Sequence, residues 1–319
     1  MTEFDIIKNF FAAQTEHRSD VALGIGDDAA LVYMPPGNEL AITTDTLIAG
    51  VHFPETTLPF DVGYKALAVN LSDLAAMGAM PAWVTLAMTL PADNEDWLQS
   101  FCDGFFTLAN RHSVELVGGD LTRGPLSITV QALGHIPIKQ GIRRSGAKPG
   151  DLIYVTGTLG DAGLALLAHE GKIHLPAQYR RQLAERLDRP EPRIATGIAL
   201  RNIASAAIDI SDGLAADLGH ILKQSQVGAH LHVDQLPLSD ELKHSLSHEE
   251  AVALALNAGD DYELCFTVSA EKRQELEAKL TTIACRYTCI GTIEAQRGLI
   301  CTHEDGKKYN GPINGYQHF

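Results

Sequence analysis

Hydrophobic positions along the chain switch repeatedly between a helical and a strand period. Residues 4–13 (FDIIKNFFAA) carry apolar side chains at helical spacing, and VALGIGDDAALVYM (21–34) reads as strand, Gly-Asp turn and strand. ELAITTDTLIAGVHF (39–53) is β-rich and ends in polar residues. The segment 61–79, DVGYKALAVNLSDLAAMGA, begins as a helix, crosses a short apolar stretch, and then has Ser72-Asp73 opening an Ala-rich run. WVTLAMTL (83–90) predicts a buried strand, 94–112 an amphipathic helix capped by Asp93 or Asn94, and 114–124 and 127–136 two further strands.

The pattern lapses at 137–150, PIKQGIRRSGAKPG, which is rich in glycine and basic residues and holds two prolines. This break divides the chain into an N-terminal domain 1–137, a linker 138–150 and a C-terminal domain 151–319. Beyond it, 151–171 predicts a strand, a Gly-rich turn and a helix, 193–204 a helix, 206–225 a strand then a helix, and 229–238 a strand. Residues 263–268, 270–280 and 286–293 add strand, helix and strand. The order fits a two-domain α/β protein of mixed α+β halves better than strict βαβ alternation.

Composition narrows the function classes. Among 319 residues, 25 Lys plus Arg stand against 40 Asp plus Glu, a formal charge of −15, and 45% are hydrophobic, enough for a full core. The pI near 5.2 argues against a general nucleic-acid binder, which needs clustered cations. Five cysteines form no CxxC pair, the N-terminus lacks a signal-like apolar core, and no stretch approaches a membrane span. These features predict a soluble cytoplasmic protein.

The setting of the acids is the unusual feature. Asp27-Asp28, Asp45, Asp73, Asp120, Asp209, Asp212 and Asp260-Asp261 stand beside glycine or at the ends of apolar runs rather than among polar residues. Converging carboxylates repel unless cations lie between them, and oxygen donors without nearby Cys/His pairs select Mg²⁺, Ca²⁺ or Mn²⁺. Each has a structural alternative: Asp73 and Asp212, with their preceding serines, as helix N-caps, the Gly-Asp-Asp blocks as hairpin turns, and Asp120 as a bulge residue. No Walker-type phosphate loop is present. The 157–163 glycines, GTLGDAG, follow GxxGxxG spacing and suit a close-packed strand-to-helix turn better than a dinucleotide cradle. Arg143 and Arg144 belong to the one compact basic cluster, either a phosphate clamp or a solvated linker. His52, at the end of a strand, is a better site candidate than the other histidines.

The blocks GIGDDAA (24–30), TTDTLIAGVHF (43–53), YKALAVNLSDLAAMGAMP (64–81), GGDLTRG (118–124), RSGAKPGD (144–151), YVTGTLGDAGL (154–164), IDISDGLAADLGH (208–220) and GDDYELCFTV (259–268) closely resemble the thiamine-monophosphate kinase family. That family belongs with aminoimidazole ribonucleotide synthetase and selenophosphate synthetase. The resemblance implies an N-terminal α/β domain that dimerises through its sheet, a C-terminal α/β domain, and transfer of the γ-phosphoryl of ATP to thiamine monophosphate with several Mg²⁺ ions. By motif, Asp28, Thr43, Thr44, Asp45, Asp73, Asp120, Asp209 and Asp212 are similar to metal ligands, Asp73 as the bridging one. Gly119, Asp120, Arg144 and Ser211 match nucleotide contacts; His52, Asp260 and Tyr316 match thiamine contacts. Asp73, Asp120, Arg144 and Asp212 would carry the catalytic work. One departure is visible: Asp260 stands where the family often has Glu, so its reach is one methylene shorter. The competing readings are another ATP-dependent member of the superfamily, a non-enzymatic divalent-metal-binding protein and a Rossmann-type oxidoreductase.

Overall fold

The computed structural model describes residues 1–315, which divide into two compact units: 1–74 with 79–139, and 75–78 with the chain from Gln140 onward. In the first unit, α1 (Glu3–Ile6) runs into a π segment, Ile7–Phe11, and a 3-10 turn, Ala12–Gln14, which together bury Ile6, Phe10 and Phe11. A short hairpin, β1 (Val21–Leu23) and β2 (Leu31–Val32), follows, then β3 (Asn38–Ile48), α2 (Pro59–Ala76), β4 (Met80–Leu90), α3 (Glu95–Arg111), β5 (Glu115–Arg123) and β6 (Ser127–Pro137). The four-stranded sheet has the order β3-β6-β4-β5, antiparallel except between β4 and β5.

Period-two burial sets the two faces of this sheet. Ala41, Thr43, Asp45 and Leu47 of β3 turn inward in line with buried Ala132, Val130 and Leu86, while Leu40, Ile42, Thr44, Thr46 and Ile48 turn outward and are exposed. Helix α2 is buried nearly all round, including Asp61, Lys65, Asn70 and Ser72. It continues straight through Ser72-Asp73, so the expected second helix start is absent: the apolar period of 61–71 carries on to Ala76. A Cβ on Gly63 would lie 2.0 Å from the Phe101 carbonyl oxygen, and one on Gly104 1.8 Å from that of Phe60, so this pair of glycines lets α2 and α3 touch backbone to backbone.

The second unit contains β7 (Leu152–Thr156), α4 (Asp161–His169), α5 (Ala177–Asp188), α6 (Ile194–Ala199), β8 (Ala204–Asp209), α7 (Leu214–Ser225), β9 (Gly228–His232), α8 (Asp240–Ser245), α9 (His248–Asn257), β10 (Leu264–Val268), α10 (Arg273–Leu280), β11 (Tyr287–Glu294) and β12 (Gly298–Thr302). Its sheet runs β12-β9-β11-β7-β10-β8, with only β12 and β9 parallel. One core joins Ile153, Val155, Ile208, Leu231 and Ile290 of the strands to Leu164, Leu218, Ile221, Val252 and Leu256 of the helices. The helix expected over 193–204 stops at Ala199, because Asn202 turns left-handed and Ala204 already enters β8. Among the described residues, no helix is long and apolar enough to cross a membrane.

Candidate active site

The inward face of β3 brings Thr43 and Asp45 to the last turn of α2. The Thr43 hydroxyl donates to the Asp73 carboxylate, and the Asp45 amide donates to Asn70 Oδ1 at 3.2 Å. Asn70 is fully buried, its amide anchored on the Ala66 carbonyl at 3.1 Å. Burial, and then the neighbouring charge of Asp73, push the Asp45 carboxyl up to about 6. Asp73 also lies where the negative end of the helix dipole disfavours a carboxylate. Two acids held in such places are destabilising unless a cation compensates, and threonine and carboxylate oxygens are the donors Mg²⁺ prefers. The side chain of Thr44 does not join them: it turns to the outer face, where its hydroxyl accepts from Gln131 Nε2 at 3.3 Å.

A second acidic group gathers near the β1–β2 hairpin. Asp27 and Asp28, with Gly119 and Asp120 of β5, line a cavity of about 580 Å³ whose apolar wall includes Phe4, Ile7 and Phe11. Asp27 caps the turn, its Oδ1 accepting the Asp28 amide at 2.8 Å. A Cβ at Gly119 would lie 1.9 Å from the Leu86 carbonyl oxygen, so the β4–β5 contact itself requires glycine there. Asp120 pairs with Ala87, Ala87 with Thr129 and Thr129 with Thr46, which places Asp120 on the outer face. It is also on the opposite sheet edge from Asp45, three strand steps or about 14 Å away. Within one chain, Asp45 and Asp120 therefore do not converge. His52 sits in the turn after β3, its Nδ1 accepting the Ile48 amide at 3.0 Å, and buried Lys65 reaches the His52 carbonyl at 3.4 Å.

In the second unit, β8 ends at Asp209 and a short loop carries Ser211 and Asp212 to α7. Neither is the cap: that position is Gly213, and the Ser211 and Asp212 amides are instead held by the buried Asp217 carboxylate at 3.0 and 2.9 Å. Burial is the main cause that pushes Asp217 up to about 7; the hydrogen bonds from the Asp212 and Ser211 amides, and last the charge of Arg144, work against it. Exposed Arg144 is fixed through its carbonyl, which accepts from Ser225 Oγ at 3.1 Å. The 259–263 loop is stitched beside this turn: the Asp260 amide donates to the Ser211 carbonyl at 2.9 Å and the Tyr262 amide to that of Ile210 at 2.8 Å. Asp260 and Tyr262 both adopt left-handed φ, +68° and +48°. The structure thus brings Asp209, Ser211, Asp212 and Asp260 to one edge. Tyr316 lies outside the described residues.

The turn at 157–163 is filled by a side chain of the protein itself: the Gly160 amide donates to the Asp261 carboxyl at 2.8 Å, and burial raises the pKa of that group well above the usual carboxylate range. Glu263 is fully buried and accepts from Arg193 Nε at 2.7 Å, Arg186 Nη2 at 2.9 Å and Thr156 Oγ1 at 2.6 Å. These supports escape sequence reading. Asn70 and Glu263 lie inside conspicuous motifs and Asp217 interrupts an apolar helix face, each a usable signal, whereas Arg186 and Arg193 have none.

Residues 26–136 match the family model for the AIR synthase related protein N-terminal domain and residues 148–304 that for its C-terminal domain. The thiamine-monophosphate kinase of Escherichia coli (strain K12) is 50% identical over 319 residues, covering 99% of this chain and 98% of that protein. A crystal structure of the thiamine-monophosphate kinase from Stenotrophomonas maltophilia K279a superposes with a TM-score of 0.88 at 48% identity, covering 97% of this chain and 98% of the other. AaThiL complexed with AMPPCP and TMP superposes with a TM-score of 0.76 at 34% identity, covering 99% and 96%.

Proposed function

The chain belongs to the thiamine-monophosphate kinases of the AIR synthase related family, and from that premise we propose how its own residues divide the reaction. It is a phosphotransferase that uses ATP to convert thiamine monophosphate to thiamine diphosphate, with ADP as the other product. The acceptor is a phosphate monoester whose second pKa is about 6, so near neutral pH its attacking oxygen is already largely ionised and needs no general base. What remains is to hold two anions in line and to offset the charge on the transferring group.

The observation that carries the assignment of roles is the Asp45–Asp73 pair. Two acids stand beside the Thr43 hydroxyl, and burial first, then the charge of Asp73, raises the Asp45 carboxyl to about 6, which supports a cation at this place. In this reading Asp28, Thr43, Asp45, Asp73, Asp120, Asp209 and Asp212 hold Mg²⁺, and Thr44 contributes from the outer face. Bound Mg²⁺ would supply positive charge against the phosphate oxygens. Gly119, Asp120 and Ser211 position the nucleotide, and the exposed Arg144 guanidinium offers two parallel donors to its phosphates. His52, Asp260 and Tyr316 orient the thiamine end, with the shorter Asp260 reaching through a left-handed backbone. The N-terminal domain, 1–137, is the dimerising, metal- and ATP-binding part, joined through 138–150 to the domain 151–319. All five cysteines are unpaired thiols, which supports placing the enzyme in the reducing cytoplasm.

Phosphorus NMR of the purified protein with ATP, MgCl₂ and thiamine monophosphate tests this reading. Thiamine diphosphate and ADP should appear in equal amounts, EDTA should abolish both, and no phosphoprotein should accumulate. Asp73→Asn should keep the native circular dichroism and lose about 100- to 1,000-fold in turnover, the range typical of removing one preorganised electrostatic group. Near-normal turnover of that variant at saturating Mg²⁺ removes Asp73 from the bridging role.

A further inference from the structure

Away from these acids, three side chains from three separate elements of the second unit meet at one point. Asp234 lies in the 3-10 turn Val233–Gln235 that follows β9, His248 is the first residue of α9, and His303 directly follows β12. His248 Nε2 stands 2.8 Å and His303 Nδ1 3.0 Å from the same atom, Asp234 Oδ1. One ligand atom from each residue lies within 4.8 Å of the other two. Donors bound to a single zinc ion at its usual bond lengths in a tetrahedron stand about 3.3 Å apart. Small side-chain rotations therefore turn these contacts into a coordination set.

The surroundings match what orients metal ligands. Asp234 Oδ2 accepts the Glu304 amide at 2.7 Å, which fixes the carboxylate and aims Oδ1 at the two imidazoles. On the far side of the His303 ring, Glu249 Oε1 lies 3.6 Å from Nε2. A carboxylate there favours the proton on Nε2 and leaves the Nδ1 lone pair for a metal, the carboxylate–histidine–metal arrangement. Two nitrogens and one oxygen suit zinc rather than the all-oxygen preference of Mg²⁺, and Asp234 with Glu249 balances a dication. Asp234 and His303 are 21% exposed at the side chain and His248 53%, so the point is both held and reachable. Without metal, both histidines must aim protons at a single oxygen; one zinc ion replaces both.

We propose that Asp234, His248 and His303 form a zinc site, with Glu249 as the outer partner of His303 and water as the fourth ligand. It ties the end of β9, the start of α9 and the segment after β12 into one clip, and it shares no residue with the phosphoryl-transfer site. The test uses the untagged full chain, stripped with EDTA, dialysed, and kept in excess Mg²⁺ so that the other acids are occupied. Titration with ZnCl₂ against a chromophoric chelator should give one zinc per chain at micromolar or tighter affinity, with a higher thermal midpoint, since binding favours the folded state. X-ray absorption at the zinc edge should show two imidazole ligands. H248Q, at the most open ligand, should match the wild-type midpoint in EDTA yet bind zinc about 10- to 100-fold more weakly or worse, as should H303Q. Unchanged zinc affinity in the H248Q/H303Q double variant, or no zinc-dependent rise in the wild-type midpoint, overturns the proposal.

Discussion

Glu263 is a buried carboxylate whose charge survives because two arginines surround it. Burial opposes ionisation, but the hydrogen bonds and charge of Arg193, with the charge of Arg186, hold its pKa below the ordinary glutamate range. The grip matters for function because Glu263 anchors the end of the loop in which Asp260 and Tyr262 keep left-handed backbones. Glu263→Gln removes the charge that Arg193 and Arg186 share and leaves Arg186 with Asp161, 3.6 Å away; breaking a buried ion pair in this way costs about 3–5 kcal/mol. The urea midpoint should fall accordingly; an unchanged midpoint would show that the arginines find other partners. In the sequence, Glu263 is visible as part of GDDYEL, but its partners stand 77 and 70 residues earlier in segments with no motif. Spacing reports neighbours along a strand or helix, and these contacts exist only after the chain has folded. Asp73 shows the converse: its motif marks it at once, while its local setting, the last turn of a long helix rather than the start of a new one, depends on packing around α2.

At the scale of elements, legibility follows the strength of the period. The strands over 83–90 and 127–136 and the helix capped by Asn94 are clear in the pattern and present in the fold, with Asn94 Oδ1 accepting the Trp97 amide at 3.1 Å. Helix α5 has little apolar period, since Leu183 and Leu187 are its only buried residues, and β12, a five-residue strand paired on one side, has little pattern to display. What no period reveals is how closely two elements approach. Gly104→Ala puts a methyl where the Phe60 carbonyl oxygen lies 1.8 Å away, so α2 and α3 must separate. Overpacking of this kind costs about 1–3 kcal/mol. Gly219 in α7 has nothing within 4 Å of the same added atom. Gly219→Ala should therefore stabilise by about 0.5–1 kcal/mol through helix propensity alone. Thermal midpoints of the two variants should move in opposite directions; a parallel shift would mean that helix propensity, not backbone contact, governs both sites.

At the scale of the whole molecule, a single chain leaves its acidic residues divided. Asp45 and Asp120 occupy opposite edges of one four-stranded sheet, and the outer face between them carries exposed Leu40, Ile42 and Ile48 at 45%, 56% and 41%. The dimer through this sheet, implied by the family resemblance, would account for both facts. It would cover the apolar side chains, and a two-fold axis that sets the β3 edge of one copy against the β5 edge of the other would bring outward-facing Thr44 to the second copy's Asp120, with Asp45 the next residue along β3 on the inward face. Ile42→Lys should then yield monomers by light scattering and lose activity together with association. A sharper test follows from the geometry. Asp45→Asn and Asp120→Asn should each be inactive alone, but co-expressed they form mixed dimers in which one of the two sites has both carboxylates. Random pairing makes half the dimers mixed, with half their sites intact, so the mixture should recover about a quarter of wild-type activity. Activity no higher than that of the separate variants would mean that each chain completes its own site, and the exposed face of β3 would then need another explanation.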